Sequence, residues 1–187
     1  MSDAMPLGAA ASSHPACTIA QQAPLGQITL RGALDDPGFR EAVEGVLGHA
    51  LPGVRAVVFE GGRGAVWMSP DELLLFTEPA ETGATLERLG AALEGVHHLA
   101  LDVSDARVVL RLEGAGAAEV LAKSVPVDLS EAAFPIGAAR RSHLGGIAVA
   151  FWRREATAFE VVAFRSVAHH LLGWLETSIK GGRVGWY

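Results

Sequence analysis

One stretch of the sequence places glycines where a phosphate could bind. The run VVLRLEGAGAAEVLAK (108–123) joins an apolar segment to a helical one through Gly114 and Gly116, and such a turn can present backbone N–H groups to an anion. The dinucleotide fingerprint requires a third glycine, but Glu119 holds that place. A carboxylate suits the first turns of a helix and repels phosphate. We therefore expect a self-capping corner here, with no nucleotide.

Other polar residues suggest catalysis only weakly. Ser104 lies between Asp102 and Asp105, but no Gly-x-Ser-x-Gly elbow surrounds it, so a turn that enters a strand is the favoured interpretation. The histidines of the pairs 97–98 and 169–170 are adjacent in sequence, whereas ligand pairs need a spacing of two on a strand or three to four on a helix. The sequence thus predicts neither a catalytic residue nor a metal site.

Composition limits the class of protein. The chain has 187 residues, of which 50% are hydrophobic, and a formal net charge of -6. The largest basic clusters are the pairs 140–141 and 153–154, which argues against a nucleic-acid partner. The lone Cys17 excludes an internal disulfide and fits a reducing cytoplasm. No apolar span reaches membrane length. Residues 1–26 lack a signal-peptide pattern and are interpreted as a flexible leader.

Turn residues divide the rest of the chain into short elements. In the first half, Asp36 is the expected N-cap of a helix that begins at Pro37 and ends near Leu47. The pattern also predicts strands at 27–31, 56–60, 64–68 and 72–76, with a glycine hairpin at 61–63, and a helix at 82–93.

The second half repeats this order of elements. Strands are expected at 107–112, 138–142, 147–152 and 159–164, and a helix at 115–123. A last helix is expected after Ser166, which would be its N-cap. Strand, helix, three strands and helix thus occur twice, which indicates an internal duplication. We expect an α+β fold of antiparallel sheets with helices on one side. It would form one globular domain, 27–179, with halves 27–95 and 97–179.

A resemblance to a known family accompanies this pattern. The segments LDVSDARVVLRLEGAGAAEVLAKSVPVDL, AFPIGAARRSHLGGIAVAFWR, FEVVAFRSVAHHLLGWLE and WMSPDELLLF resemble the γ subunits of heterotetrameric sarcosine oxidases, over roughly residues 55–178. The resemblance implies the aminomethyltransferase folate-binding fold. It also implies a complex that oxidises sarcosine to glycine, hydrogen peroxide and a one-carbon unit on tetrahydrofolate.

The same resemblance implies where the chemistry of such a complex resides. The partners would be the α, β and δ subunits, and FAD, FMN, NAD and tetrahydrofolate would belong to those partners. The chain itself would hold no cofactor and would have a structural role in the cytoplasm. The alternatives are a stand-alone folate-binding or aminomethyltransferase-like protein and a generic interaction module.

Only one residue of the aminomethyltransferase site is carried over by the resemblance. Asp128, in VDL, matches the aspartate of that family, and we weigh a turn role for it against a ligand contact. The folate-binding glutamate is replaced by Ala156, and the neighbouring Glu155 would point to the opposite face of a strand.

The aromatic residues predict buried or partner-facing surfaces. Trp67, Trp152 and Trp174 lie in apolar patterns, so core or interface positions are expected before flavin stacking. Trp186 and Tyr187 end the tail 180–187, which is either an interface anchor or an idle terminus. Sheets that helices cover on only one side would leave some apolar surface exposed to solvent, so the isolated chain is expected to self-associate.

Overall fold

The computed structural model describes residues 5–7, 11–182 and 185. The expectations for Trp186 and Tyr187 lie outside these residues. In chain order, the described residues form β1 (Ala11–His14), β2 (Cys17–Gln21), β3 (Gly26–Arg31), α1 (Pro37–Leu47), β4 (Val57–Glu60), β5 (Arg63–Ser69), β6 (Glu72–Thr77), α2 (Thr82–Ala92), β7 (Leu99–Asp102), β8 (Arg107–Glu113), α3 (Ala117–Ala122), β9 (Ala139–Leu144), β10 (Ile147–Glu155), β11 (Ala158–Phe164) and α4 (Ala168–Lys180).

The chain divides into two compact units, a central unit (residues 24–104) and a terminal unit (residues 1–23 with 105–187). The central unit contains a five-stranded antiparallel sheet of order β4-β5-β6-β3-β7. Alternate residues of its strands, such as Ile28, Leu30 and Leu75, share a core cluster with apolar residues of α1 and α2, as the two-residue period of a strand requires.

Local sequence determines the ends of α1. The Asp36 carboxylate accepts a hydrogen bond from the Phe39 N–H (2.8 Å), and Pro37 occupies the first turn, where a missing N–H costs nothing. Gly48 ends the helix with φ 79° and donates its N–H to the Glu44 carbonyl, an αL cap that glycine adopts without strain. The expected start and end of this helix are therefore confirmed.

The terminal unit contains a six-stranded antiparallel sheet of order β1-β2-β8-β11-β10-β9. Its core cluster joins alternate residues of β8, β10 and β11 to the buried faces of α3 and α4. Leu171, Leu175 and Ile179 are buried on α4, as the four-residue spacing predicts.

The internal repeat is visible in the order of the strands. The elements β3-α1-β4-β5-β6-α2 form a sheet of order β4-β5-β6-β3, and β8-α3-β9-β10-β11-α4 form one of order β9-β10-β11-β8. Each repeat gains one further strand at the same place, since β7 pairs with β3 and β2 pairs with β8. The α+β class and the duplication are thus confirmed.

Two local expectations are wrong, and one strand was not predicted. Residues 11–21, expected in a flexible leader, form β1 and β2, and Cys17 and Ile19 belong to the core cluster. Leu99–Asp102, for which no strand was expected, forms β7. Ser166 does not cap α4, because a 3-10 turn at Arg165–Val167 precedes the helix and Val167 occupies the N-cap position without a side-chain bond.

Candidate functional site

The two glycines of the turn before α3 have their backbone N–H groups already bound. Gly116 donates to the Ala16 carbonyl in the β1–β2 turn (2.8 Å), and Gly114 donates to the Thr157 carbonyl (3.0 Å). Gly114 has φ 137°, and a Cβ there would lie 2.7 Å from the Ala16 oxygen. The glycine is therefore required by the close approach of the protein's own N-terminal hairpin, and the turn is a corner of the fold.

Glu119 is almost fully buried, with 1% of its surface exposed. Its Oε2 accepts a hydrogen bond from the Gly185 N–H (2.8 Å), a partner that the self-capping prediction does not anticipate. The side chain of Glu119 is therefore bound within the protein's own fold.

Asp128 lies on an exposed turn between α3 and β9. Its Oδ1 accepts the Ser130 N–H (2.9 Å). Hydrogen bonds from the Ser130 backbone and side chain lower the pKa of the Asp128 carboxyl below its usual range, since they stabilise the charged form. This geometry is the Asx turn that the residue type favours.

A buried arginine holds the segment that follows Asp128. Arg153, on β10, donates from Nε to the Phe134 carbonyl (2.6 Å), and its other nitrogens donate to the carbonyls of Leu129 and Ala156. The guanidinium also lies over the Phe159 ring, 4.5 Å from its centroid. Burial lowers the pKa of Arg153 from its ordinary value. The side chain of Arg153 therefore holds both ends of the segment 129–134 by hydrogen bonds to their carbonyl groups.

The position of Ala156 also corrects a detail of the sequence analysis. Ala156 lies in the β10–β11 turn, outside both strands, and its carbonyl accepts a hydrogen bond from Arg153. Glu155, the last residue of β10, pairs with Arg111 (2.7 Å). The two residues therefore do not alternate on a strand, and the carboxylate of Glu155 is bound to a strand of its own sheet.

Three cross-strand neighbours form the main polar cluster of the terminal unit. Trp152, Glu160 and Arg111 lie opposite one another across β10, β11 and β8. The fully buried Trp152 donates its indole N–H to Glu160 Oε2 (2.7 Å). Arg111 Nη1 and Arg154 Nε lie 3.8 and 4.0 Å from Glu160 Oε1. This row of indole, carboxylate and guanidinium was not predicted from the sequence.

The row places Glu160 in an unusual electrostatic environment. Only 8% of its surface is exposed, and burial raises the pKa of its carboxyl above the ordinary 4.5, opposed by the Trp152 hydrogen bond and by the charges of Arg154 and Arg111. Desolvation dominates because both cations lie beyond hydrogen-bonding distance. Raised carboxyl pKa values occur at active sites and in structural networks alike.

The remaining polar candidates have structural contacts. Ser104 donates its hydroxyl to Asp102 Oδ1 (2.5 Å) and accepts the Gln27 N–H (2.9 Å), as expected for a turn that leads into a strand. Within the described part of the chain, no three His, Cys, Asp or Glu residues lie close enough together to hold a metal ion. Nor does any helix in that part have the length and apolar character to span a membrane.

The fold defines the class of protein first. The aminomethyltransferase T of the glycine cleavage system from Bartonella henselae has a similar fold over 84% of this chain and 44% of its own, with a TM-score of 0.62 and 16% identity. The class is therefore the α+β, folate-binding-like fold of aminomethyltransferases.

Sequence similarity then identifies the family. The model of the "Sarcosine oxidase, gamma subunit family" matches residues 31–180, and the chain belongs to that family. The γ subunit from Corynebacterium sp. (strain U-96) is 37% identical over 145 residues, which are 72% of this chain and 70% of that protein. The γ subunit from Arthrobacter sp. is 32% identical over 176 residues, or 88% and 86%.

A solved structure extends the similarity to three dimensions. A chain of the heterotetrameric sarcosine oxidase from Corynebacterium sp. U-96, in complex with pyrrole 2-carboxylate, matches with a TM-score of 0.82 and 32% identity. The match covers 96% of this chain and 91% of that one.

Proposed function

We propose that this chain is the γ subunit of a heterotetrameric, flavin-dependent sarcosine oxidase and supports assembly of the complex without a catalytic site of its own. The observation that carries the proposal is the match to a chain of a heterotetrameric sarcosine oxidase over 96% of this chain. The reaction of the whole complex would convert sarcosine to glycine, hydrogen peroxide and a folate-bound one-carbon unit in the cytoplasm. The α, β and δ subunits would be the partners.

The contacts of the polar residues support a structural role. The glycine turn donates its N–H groups to Ala16 and Thr157, and the Ser104 hydroxyl is held between Asp102 and Gln27. The carboxylate of Glu160 accepts a hydrogen bond from its cross-strand neighbour Trp152. A nucleophile or general base needs access to a substrate proton. FAD, FMN, NAD and tetrahydrofolate would belong to the partner subunits, as the family resemblance implies.

A stand-alone folate-binding or aminomethyltransferase-like protein is the second candidate, favoured by the shared fold. Against it stands Ala156, which occupies the place of the folate-binding glutamate in the resemblance and lies in a tight turn. Asp128 alone supplies one exposed carboxylate, already engaged by Ser130. A pterin ring normally requires several convergent polar groups for orientation.

Co-expression with the α, β and δ subunits tests the proposal. We expect the untagged chain to co-purify in equal amount with a tagged α subunit, and we expect that omitting it lowers the yield of assembled, sarcosine-oxidising complex. Purified alone, the chain should be colourless and should not oxidise sarcosine. Absence of the chain from the purified complex would contradict the assembly role. A flavin spectrum or bound tetrahydrofolate retained by the isolated chain through gel filtration would favour the second candidate.

A further inference from the structure

Among the described strands, β7 ends the sheet of the central unit, and none pairs with its outer edge. Among the described strands β7 pairs only with β3, in a register that places Leu101 opposite Thr29. Val103 donates its N–H to the Gln27 carbonyl (2.8 Å). Hydrogen-bonded and non-bonded pairs alternate in an antiparallel ladder, so the N–H and C=O groups of Ala100 and Asp102 point away from β3. Within the described part of the chain, no strand pairs with this row of donors and acceptors.

The internal repeat shows what such an edge binds. In the terminal unit, β2 holds the place that β7 holds in the central unit, because each pairs with the first strand of its repeat. The outer edge of β2 is covered by β1, an antiparallel strand, with His14 opposite Cys17. The equivalent edge of β7 carries no described strand. The position is therefore one that this fold fills with an extended antiparallel segment.

The side chains of β7 also differ from those of β9, the end strand of the terminal sheet beside β10. Leu99 and Leu101 are 48% and 53% exposed, whereas β9 has the sequence ARRSHL and its Arg140 side chain donates to the Ala139 carbonyl (2.8 Å). Charged residues on an end strand prevent pairing with other chains. An end strand with exposed leucines lacks that protection and is suited to strand addition.

Charge indicates the chemistry of the added segment. No Lys or Arg occurs in the sequence between Arg88 and Arg107, while Glu94 and Asp102 of the central unit are exposed. A complementary segment would place apolar residues beside the two leucines and Lys or Arg at its ends.

We propose that the free edge of β7 binds an extended segment of a larger subunit of the complex, which adds as a sixth, antiparallel strand to the central sheet. This inference rests on the proposed function and specifies the partner surface. The segment carries alternating apolar residues and basic flanks. Backbone hydrogen bonds from Ala100 and Asp102 provide the pairing, and contacts with Leu99 and Leu101 provide selectivity.

A double variant, Leu99→Lys with Leu101→Lys, tests the proposal in the co-expressed complex. Both side chains are about half exposed, so the variant should fold, with a circular dichroism spectrum like that of the wild type. We expect its recovery with a tagged α or β subunit to fall about tenfold or more, because two lysines oppose strand addition. Val54→Lys and Ile136→Lys are matched controls, since these residues are 71% and 63% exposed outside β7. Both should be recovered like the wild type.

Amide exchange supplies a second measurement that does not depend on the variants. The amides of Ala100 and Asp102 should exchange at least about tenfold more slowly in the complex than in the isolated chain. Wild-type assembly with normal recovery of the double variant, or unchanged exchange at these amides, would overturn the β7 proposal alone. Failure of the wild type to co-purify would overturn the proposed function together with this partner. A concentration-dependent dimer of the isolated chain that the double variant abolishes would assign the edge to a second copy and refute the proposed occupant.

Discussion

Replacing Arg153 with methionine should remove the link that holds residues 129–134. The guanidinium donates to the carbonyls of Leu129, Phe134 and Ala156 and stacks on Phe159, and the residue is only 3% exposed. Methionine keeps much of the apolar stem and cannot donate a hydrogen bond. The variant therefore tests the polar contacts more than the packing.

The expected loss follows from the groups left without a partner. A hydrogen bond from a charged donor contributes about 1.5–3 kcal/mol net, and a buried carbonyl left unpaired costs about 1–3 kcal/mol. Burial of the guanidinium costs free energy in the wild type and also lowers its pKa. The methionine variant does not bury this charge, which offsets part of the loss. We expect Arg153→Met to lower the free energy of unfolding by about 3 kcal/mol, within the range for breaking a buried polar network. Arg153→Lys, which keeps the charge but not the fork of donors, should lie between it and the wild type.

Urea unfolding of the isolated chain, followed by far-UV circular dichroism, measures this loss. The matched control is Arg154→Met on the same strand, because the Arg154 side chain is 36% exposed and its guanidinium lies 4.0 Å from Glu160. Removing an ion pair as exposed as this one should cost less than about 1 kcal/mol. The amides of Ala133 and Phe134, bonded to Ser130, should exchange faster in Arg153→Met only. Equal stability of the two methionine variants, with unchanged exchange in this segment, would refute the assigned role of Arg153.

Four further predictions concern single residues. Burial raises the pKa of Glu160 above its unfolded value near 4.5. The stability that Glu160 contributes is therefore fully present below pH 4.5 and is lost as the pH rises through the folded pKa. The melting temperature of Glu160→Gln relative to that of the wild type should therefore increase from pH 4 to pH 8, and a constant difference would contradict this. Asp128→Asn should retain sarcosine turnover by the complex within about threefold, whereas a selective loss of the folate-bound product with assembly intact would assign it a ligand contact. Burial raises the pKa of Cys17 to about 11, so Ellman's reagent at pH 8 should react only on unfolding, and rapid reaction of the native chain would be evidence against a buried thiol. Gly114→Ala should destabilise the chain by about 2 kcal/mol or more, against about 1 kcal/mol for Gly48→Ala, which meets no neighbouring atom; equal urea midpoints would contradict the close approach of the hairpin.

The elements that the sequence predicts correctly are those defined by nearby residues. Asp36 and Pro37 begin α1, and Gly61 and Gly62 form the β4–β5 hairpin with φ 55° and 85°. Both signals act within a few positions, through a side-chain cap or a positive φ. The duplication was visible because such signals recur in the same order in each half.

The elements that the sequence does not predict depend on distant partners. The ASSHPACTIAQ segment has the composition of a loop. It forms strands because β2 pairs with β8, a strand that is distant in sequence: the paired residues Thr18 and Glu113 are 95 positions apart. Strand formation is decided by such neighbours more than by intrinsic preference.

The polar row was missed for a related reason. Trp152, Glu160 and Arg111 belong to three different strands, and only their register brings them together. One signal was available, because Arg111 and Glu160 are charged residues that follow or precede apolar residues in the interior of β8 and β11. A charged residue at such a position is rarely buried unless it is paired.

The exchange of outer strands between the repeats has a consequence for synthesis on the ribosome. The strand before β3, which is β2, pairs with β8, and the strand before β8, which is β7, pairs with β3. All strands of the central sheet are consecutive in the chain, so this sheet can be completed as soon as β7 has emerged. The β1–β2 hairpin, made first, must wait for β8, and closing so long a loop carries a large entropy cost. A nascent chain that stalls after β7 therefore contains a finished central sheet and a hairpin whose β2 edge is still unpaired.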